Sequence, residues 1–182
     1  LFTKGLNLGF SDCELERLVT LIATFHDFGK YTSFFQDYLL KKKEVNQDLK
    51  RHAQIGGIVA YNYLIVNAPK KARLALYLIA LHHRNLMNIT SLRDMFDQRL
   101  RDIVEAQIND LKEIVPIVEQ ELSLENLNSY LHYVDESEIG RGYKIWSVKN
   151  ASIQDYFLIN YLFSLQIEAD KLDASDTELY TL

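Results

Sequence analysis

Apolar residues recur along the chain at spacings of three and four, and strict alternation is scarcely sustained beyond a few residues, so the pattern predicts an all-α protein. Ser11 and Glu14 form a capping-box pattern, and the stripe Leu15, Leu18, Val19, Ile22, Phe25 and His26 then marks a first amphipathic helix ending at or near Gly29. A short second helix is expected from Thr32 to Lys42, followed by an exposed polar loop through Asp48. A third runs from about Arg51 to Val66. Asn67-Ala68-Pro69 breaks it, because proline disfavours helical backbone in the preceding residue, and a fourth runs from about Lys70 to His83. Thr90 or Ser91 is the expected cap of a helix reaching toward Lys112, which Pro116 interrupts or restarts. Asp135 to Gly142 reads as turn-rich, and Tyr143 to Val148 as a short strand or nothing regular. The last helix, about Ser152 to Ala169, carries Ile153, Phe157, Tyr161, Leu165 and Ile167 and is expected to be largely buried. With no repeat and no low-complexity tract, residues 1–182 read as one domain.

Composition narrows the functional classes. Lys plus Arg total 20 against 25 for Asp plus Glu, a formal charge of -5, which excludes a strongly basic nucleic-acid binder. Any such partner must be met by a local patch or by bound metal. One cysteine, Cys13, permits no internal disulfide; it reads as a packing residue in a reducing compartment, with the cytoplasm as default address. No apolar run approaches the roughly 20 residues needed to cross a bilayer, so no membrane partner is expected. The chain starts at Leu1 rather than Met, in a segment that reads as the tail of a helix, so the expectation is a fragment whose N-terminus lies upstream.

The chemistry-bearing signal is the placement of five histidines: His26 precedes Asp27, His82 precedes His83, and His52 lies between the two pairs. Either dipeptide alone is a weak motif. Yet His26 continues the apolar stripe of the first helix, and His82 and His83 each lie four residues after an apolar residue, Leu78 and Ile79. Buried imidazoles need partners, and several that converge with a carboxylate satisfy one another best around a metal ion. Each residue also has a plainer reading: the His82-His83 pair as helix-end hydrogen bonders, Asp27 as a cap near Phe28-Gly29, and Arg51-His52 as an exposed helix start. Gly56 and Gly57, one turn past His52, would let another helix come close, for a shared site or for simple packing.

Taken together, His26-Asp27-Phe28-Gly29-Lys30, Phe34-Phe35-Gln36, Arg51-His52, Ala80-Leu81-His82-His83 and the run from Phe163 to Asp173 resemble the HD nuclease of type I CRISPR systems, the nuclease part of the CRISPR helicase-nuclease. The HD dyad alone would point only to the wider HD phosphohydrolase superfamily. The resemblance spans Ala23 to Asp173, and no motif is matched between about Met87 and Asn150. It implies an HD-domain helical bundle with a two-metal site between core helices. Asp27 would bridge both ions, His26 and Asp170 would hold one, and His52, His82 and His83 the other, while Lys30 would stay near the phosphate as a positive charge. The family also has a histidine ligand on a helix ahead of the HD motif; none precedes His26 here, and its expected place is upstream of Leu1.

Nitrogen-rich ligands favour manganese, iron, cobalt or nickel over magnesium, which prefers oxygen, although magnesium stays open. The implied activity is degradation of single-stranded DNA during CRISPR interference, with a helicase, fused or separate, and an RNA-guided surveillance complex as partners. No Gly-x-x-x-x-Gly-Lys-Ser/Thr phosphate loop is present, so ATP hydrolysis is not expected of this chain. The alternatives are an HD-type nucleotide or cyclic-nucleotide phosphohydrolase, and a non-catalytic binding module. Lys41-Lys42-Lys43 and Lys70-Lys71 with Arg73 are weak candidates for phosphate contact. Most of the eleven tyrosines, Tyr61 and Tyr77 among them, read as core, as do Phe34 and Phe35, and His132 reads as structural.

Overall fold

A computed structural model describes residues 10–86, 96–135, 138 and 152–174. Every regular element among them is helical: α1 (Asp12–Phe25), α2 (Ser33–Leu39), α3 (Ala53–Ile65), α4 (Pro69–Leu81), α5 (Gln98–Lys112), α6 (Val115–Leu122) and α7 (Ile153–Ala174), with 3-10 turns at Phe28–Tyr31 and Leu127–Tyr130. Local chemistry sets most boundaries. The Ser11 hydroxyl accepts from the Glu14 amide while the Glu14 carboxylate accepts from the Ser11 amide, completing the capping box that starts α1. Pro69 opens α4 at its first turn, where a missing N–H costs nothing. Pro116 likewise restarts the chain as α6.

The core is the antiparallel pair α3 and α4, buried on nearly every side. Ala53 to Asn62 are buried without interruption, as are Leu74 to Leu81, so both helices carry apolar residues all round rather than on one stripe. α1 packs on both through Leu15, Leu18, Ile22 and Phe25. α5 lies beside α3 and α2, and α7 lies against α1 and α4. Asn62, a buried polar residue on α3, donates to the carbonyls of Tyr130 (2.9 Å) and His132 (2.8 Å) and ties down the segment after α6.

Glycine decides how closely the end of α1 meets the start of α3. A Cβ on Gly56 would lie 2.2 Å from the Phe25 carbonyl oxygen, and one on Gly29 would lie 2.6 Å from both Cα and O of His52. These are backbone atoms and cannot swing aside.

Several boundaries and burials differ from the sequence reading. The second helix stops at Leu39 because Lys41 takes a positive φ of 52°. The helix reaching Lys112 begins at Gln98, where the Asp97 carboxylate caps the Leu100 amide at 2.8 Å; the proposed caps Thr90 and Ser91 lie outside the described residues, as do residues 143–148. α7 is not largely buried: Ile153 and Phe157 are exposed, and the docked stripe is Leu158, Leu162 and Gln166. That stripe is one residue out of phase with the expected one, which turns the contact face by about 100°. Phe34 and Phe35 are half-buried rather than core, because no residue of the short α2 is fully covered. Cys13 is exposed, not packed. Tyr61 and Tyr77 are core.

Gly56→Ala removes a helix-weakening glycine, worth about 1 kcal/mol, but inserts a methyl against fixed backbone. The net expectation is destabilisation by at least about 2 kcal/mol, read as a lower urea midpoint.

Candidate metal centre

The C-terminal ends of α1 and α4 and the N-terminal end of α3 converge. His26 is the C-cap residue of α1, His82 is the C-cap of α4 with His83 next, and His52 is the N-cap of α3. Neither α1 nor α4 has a basic residue in its last turn, so the partial negative charge of two helix ends faces this spot without a compensating cation from either helix. Asp27 leads into the 3-10 turn that carries Lys30, and Asp170 comes from α7.

Two groups emerge whose donor atoms lie within 4.8 Å of one another and could hold a metal ion: His26, Asp27 and Asp170, and His52, His82 and His83. All six of the expected ligand residues therefore meet in one place. The sets are adjacent, since the His26 and His82 ring centroids are 5.6 Å apart and Asp27 Oδ1 lies 3.3 Å from His52 Nε2. Lys30 Nζ donates to Asp27 Oδ2 at 2.7 Å. His132, outside this cluster, has Nδ1 3.1 Å from the Ser129 carbonyl.

Hydrogen bonding presents the imidazoles in one orientation. Nδ1 of His26 lies 2.6 Å from the Ala23 carbonyl and Nδ1 of His82 lies 2.7 Å from the Ile79 carbonyl. A carbonyl can only accept, so each Nδ1 carries the proton; in His82 this leaves an Nε2 lone pair facing inward, whereas His26 Nε2 lies 3.2 Å from Asp27 Oδ2. His82 is 2% exposed and its Nε2 has no partner; Asp27 Oδ1 is also buried without a hydrogen bond. His83 Nε2 faces His52 Nε2 at 2.8 Å. Orphaned buried acceptors cost free energy unless something electropositive meets them, and an N-rich donor set with one central carboxylate fits a divalent cation.

The protonation of His82 and His83 agrees with that fit. Burial pushes the His82 pKa down to about 4, and the nearby rings of His83, His52 and His26 add to the effect. His83 is lowered as well, by burial and then by His52. Burial would raise Asp27, but the imidazoles of His26 and His52 and the Lys30 ammonium hold it well below the ordinary carboxylate range. Burial works against a charged His26, yet the Asp27 carboxylate and the Ala23 carbonyl outweigh it and raise its pKa.

Supporting residues come from elements that carry no ligand. Gln107, 1% exposed on α5, donates to the carbonyls of Leu49 (2.8 Å) and Arg51 (2.7 Å), which holds the chain leading into His52. Gln36 donates to the Lys30 carbonyl at 2.8 Å, and Asp110 accepts from the Ser33 amide at 2.6 Å. Sequence reasoning passed over Gln107, although a glutamine in the stripe Val104, Ile108, Leu111 was a visible signal. Three of the weaker phosphate candidates are engaged elsewhere: Lys70 pairs with Asp155 at 3.0 Å, Lys71 with Glu14 at 2.9 Å and Lys43 with Asp37 at 2.7 Å.

Fold and site together describe an all-helical protein with a partly buried histidine-aspartate cluster that could hold a divalent metal. Among curated proteins, the chain is 32% identical over 107 residues to the CRISPR-associated nuclease/helicase Cas3 of Haloferax volcanii. The match covers 55% of this chain and 11% of that protein, so the chain corresponds to a small part of its relative's length. No family model and no solved structure matches.

In metal-free protein, His82 has a folded pKa of about 4 against 6.5 for an ordinary histidine. The unfolded chain therefore binds the extra proton between these values. The stabilisation is complete above pH 6.5 and is lost as pH falls toward 4, on the order of 3 kcal/mol. Denaturation in chelator at pH 7 and pH 4 should show this loss in the unaltered protein and a flatter dependence in His82→Gln.

Proposed function

We propose that this chain is the metal-dependent nuclease domain of a CRISPR system, a single HD-type domain that hydrolyses phosphodiester bonds of single-stranded DNA. The observation that carries the reading is the pair of adjacent ligand groups with Asp27 between them and unpartnered donors, His82 Nε2 and Asp27 Oδ1, pointing in. The likeness to a nuclease/helicase supports the reaction class.

In this reading His26, Asp27 and Asp170 hold one divalent cation and His52, His82 and His83 the other, with Asp27 shared. Such a pair of ions, when bound, activates water and offsets charge on the phosphoryl oxygens. Neutral imidazoles donate electron pairs without cancelling positive charge, and the low pKa of His82 and His83 keeps them neutral at pH 7. The Ala23 and Ile79 carbonyls fix the ring orientations, so the donors are arranged before any ligand arrives. Lys30, 37% exposed at the rim, is placed to meet the negative charge of a phosphodiester once Asp27 is engaged elsewhere. Manganese, iron, cobalt or nickel suits these donors better than magnesium. A helicase that delivers the strand, a guiding surveillance complex and a cytoplasmic setting belong to this proposal; among the described residues no helix is long and apolar enough to cross a membrane.

Incubation with circular single-stranded DNA, duplex DNA and nucleotides, each with manganese or nickel and with chelator, tests the proposal. Chelator-sensitive cleavage of the circle is expected, and release of nucleoside or opened monophosphate with the DNA left intact would overturn it in favour of a nucleotide phosphohydrolase. Asp27→Ala should lower cleavage at least about a hundredfold and reduce metal per chain by elemental analysis, because it removes the shared ligand.

A further inference from the structure

The cluster continues outward from His52 as a line of aromatic rings. Phe35 stands edge-on to the His52 imidazole, with centroids 5.2 Å apart and planes at 85°, and Tyr38 stands edge-on to Phe35 at 6.1 Å and 65°. Phe35 and Tyr38 are three residues apart on α2 and so share a face. Each has a cation beside it: Lys30 Nζ lies 5.9 Å from the Phe35 centroid and Lys50 Nζ lies 3.6 Å from that of Tyr38. Tyr38 is 47% exposed and Phe35 is half-buried, so core packing does not account for the line. The neighbouring charges are compensated: Asp48 takes Arg51 at 3.1 Å and also Arg99, and Asp37 takes Lys43. What remains is an aromatic strip flanked by Lys50 and by Lys30, the latter paired with Asp27 at 2.7 Å, in a chain of net charge -5, ending at the candidate metal site.

We infer that Phe35 and Tyr38, with Lys30 and Lys50, form the path along which single-stranded DNA lies as it enters the metal centre; the inference rests on the phosphodiesterase reading above. Unpaired bases offer flat faces that stack on open aromatic rings, and their phosphates seek cations beside those rings. A duplex hides the same faces in its own stack. The alternating ring and lysine chemistry therefore selects a single strand and sets its last phosphates against Lys30, at the edge of the candidate metal centre.

Binding of a fluorescein-labelled, cleavage-resistant phosphorothioate oligothymidylate, measured by anisotropy in manganese, tests the path. Tyr38→Ala should weaken binding about tenfold, the loss of one base stack, while Tyr38→Phe stays within about twofold of the unaltered protein. Lys50→Ala should weaken binding and flatten its salt dependence. A phosphorothioate duplex should show no comparable loss with Tyr38→Ala. Unchanged single-strand affinity in Tyr38→Ala, or an equal loss on the duplex, overturns the stacking path. Hydrolysis of bis-p-nitrophenyl phosphate by the unaltered protein separates the two ideas. If that diester is cleaved but Tyr38→Ala binds normally, the path alone is wrong; if it is not cleaved while single-strand binding depends on Tyr38, the phosphodiesterase reading falls and the path stands.

Discussion

The closeness of α1 to α3 governs everything at the metal centre. Gly56 lets the Phe25 carbonyl rest where a side chain would otherwise stand, and Gly29 does the same for the backbone of His52. With that approach, Asp27 reaches within 3.3 Å of His52; a wider gap would leave the carboxylate with His26 and Lys30 alone, and two separate half-sites in place of one cluster. The close contact rests on backbone atoms, so it is held by the most rigid part of the fold, the α3 and α4 pair, whose residues are buried on nearly every side.

Burial and charge pull in opposite directions at this place, and the balance explains its chemistry. Desolvation disfavours charged imidazoles and drives His82 toward the neutral form, while the same desolvation would neutralise Asp27 were it not for the positive groups crowding it. The result is an ionised carboxylate close to the neutral imidazole of His82, with Asp27 Oδ1 and His82 Nε2 both buried without a hydrogen bond. In a fold with no metal such a cluster would be a net cost. A divalent cation would convert that cost into coordination.

The legibility of the protein was uneven, for identifiable reasons. Helix existence was readable because the capping box at Ser11, the stripe of α1 and the prolines at 69 and 116 act within a turn or two of themselves. The phase of α7 was not. Its sequence is apolar on more than one face, and only docking on α1 and α4 selects Leu158, Leu162 and Gln166 over Ile153 and Phe157. Phe34 and Phe35 looked like core by composition, yet α2 is too short and too far from the centre to bury them, and that leaves rings free beside His52. Gln107 stood out as a polar residue in an apolar stripe, but its partners could not be read, because the carbonyls of Leu49 and Arg51 are backbone groups 56 to 58 positions away.

What the amino-acid sequence determined by itself was the set of chemical groups and their local presentation: which residues can donate to a metal, and that His26, His82 and His83 fall where helices end. Distances along the chain carry no information about distances in space beyond a few turns of helix. Tertiary packing alone decided that residues 26, 27, 52, 82, 83 and 170 gather into two adjacent groups, that His82 rather than His83 is the buried member of its pair, and that Tyr38 stays open. Those outcomes depend on which helix faces meet, and that is settled by the collective burial of the core, a property no short segment possesses.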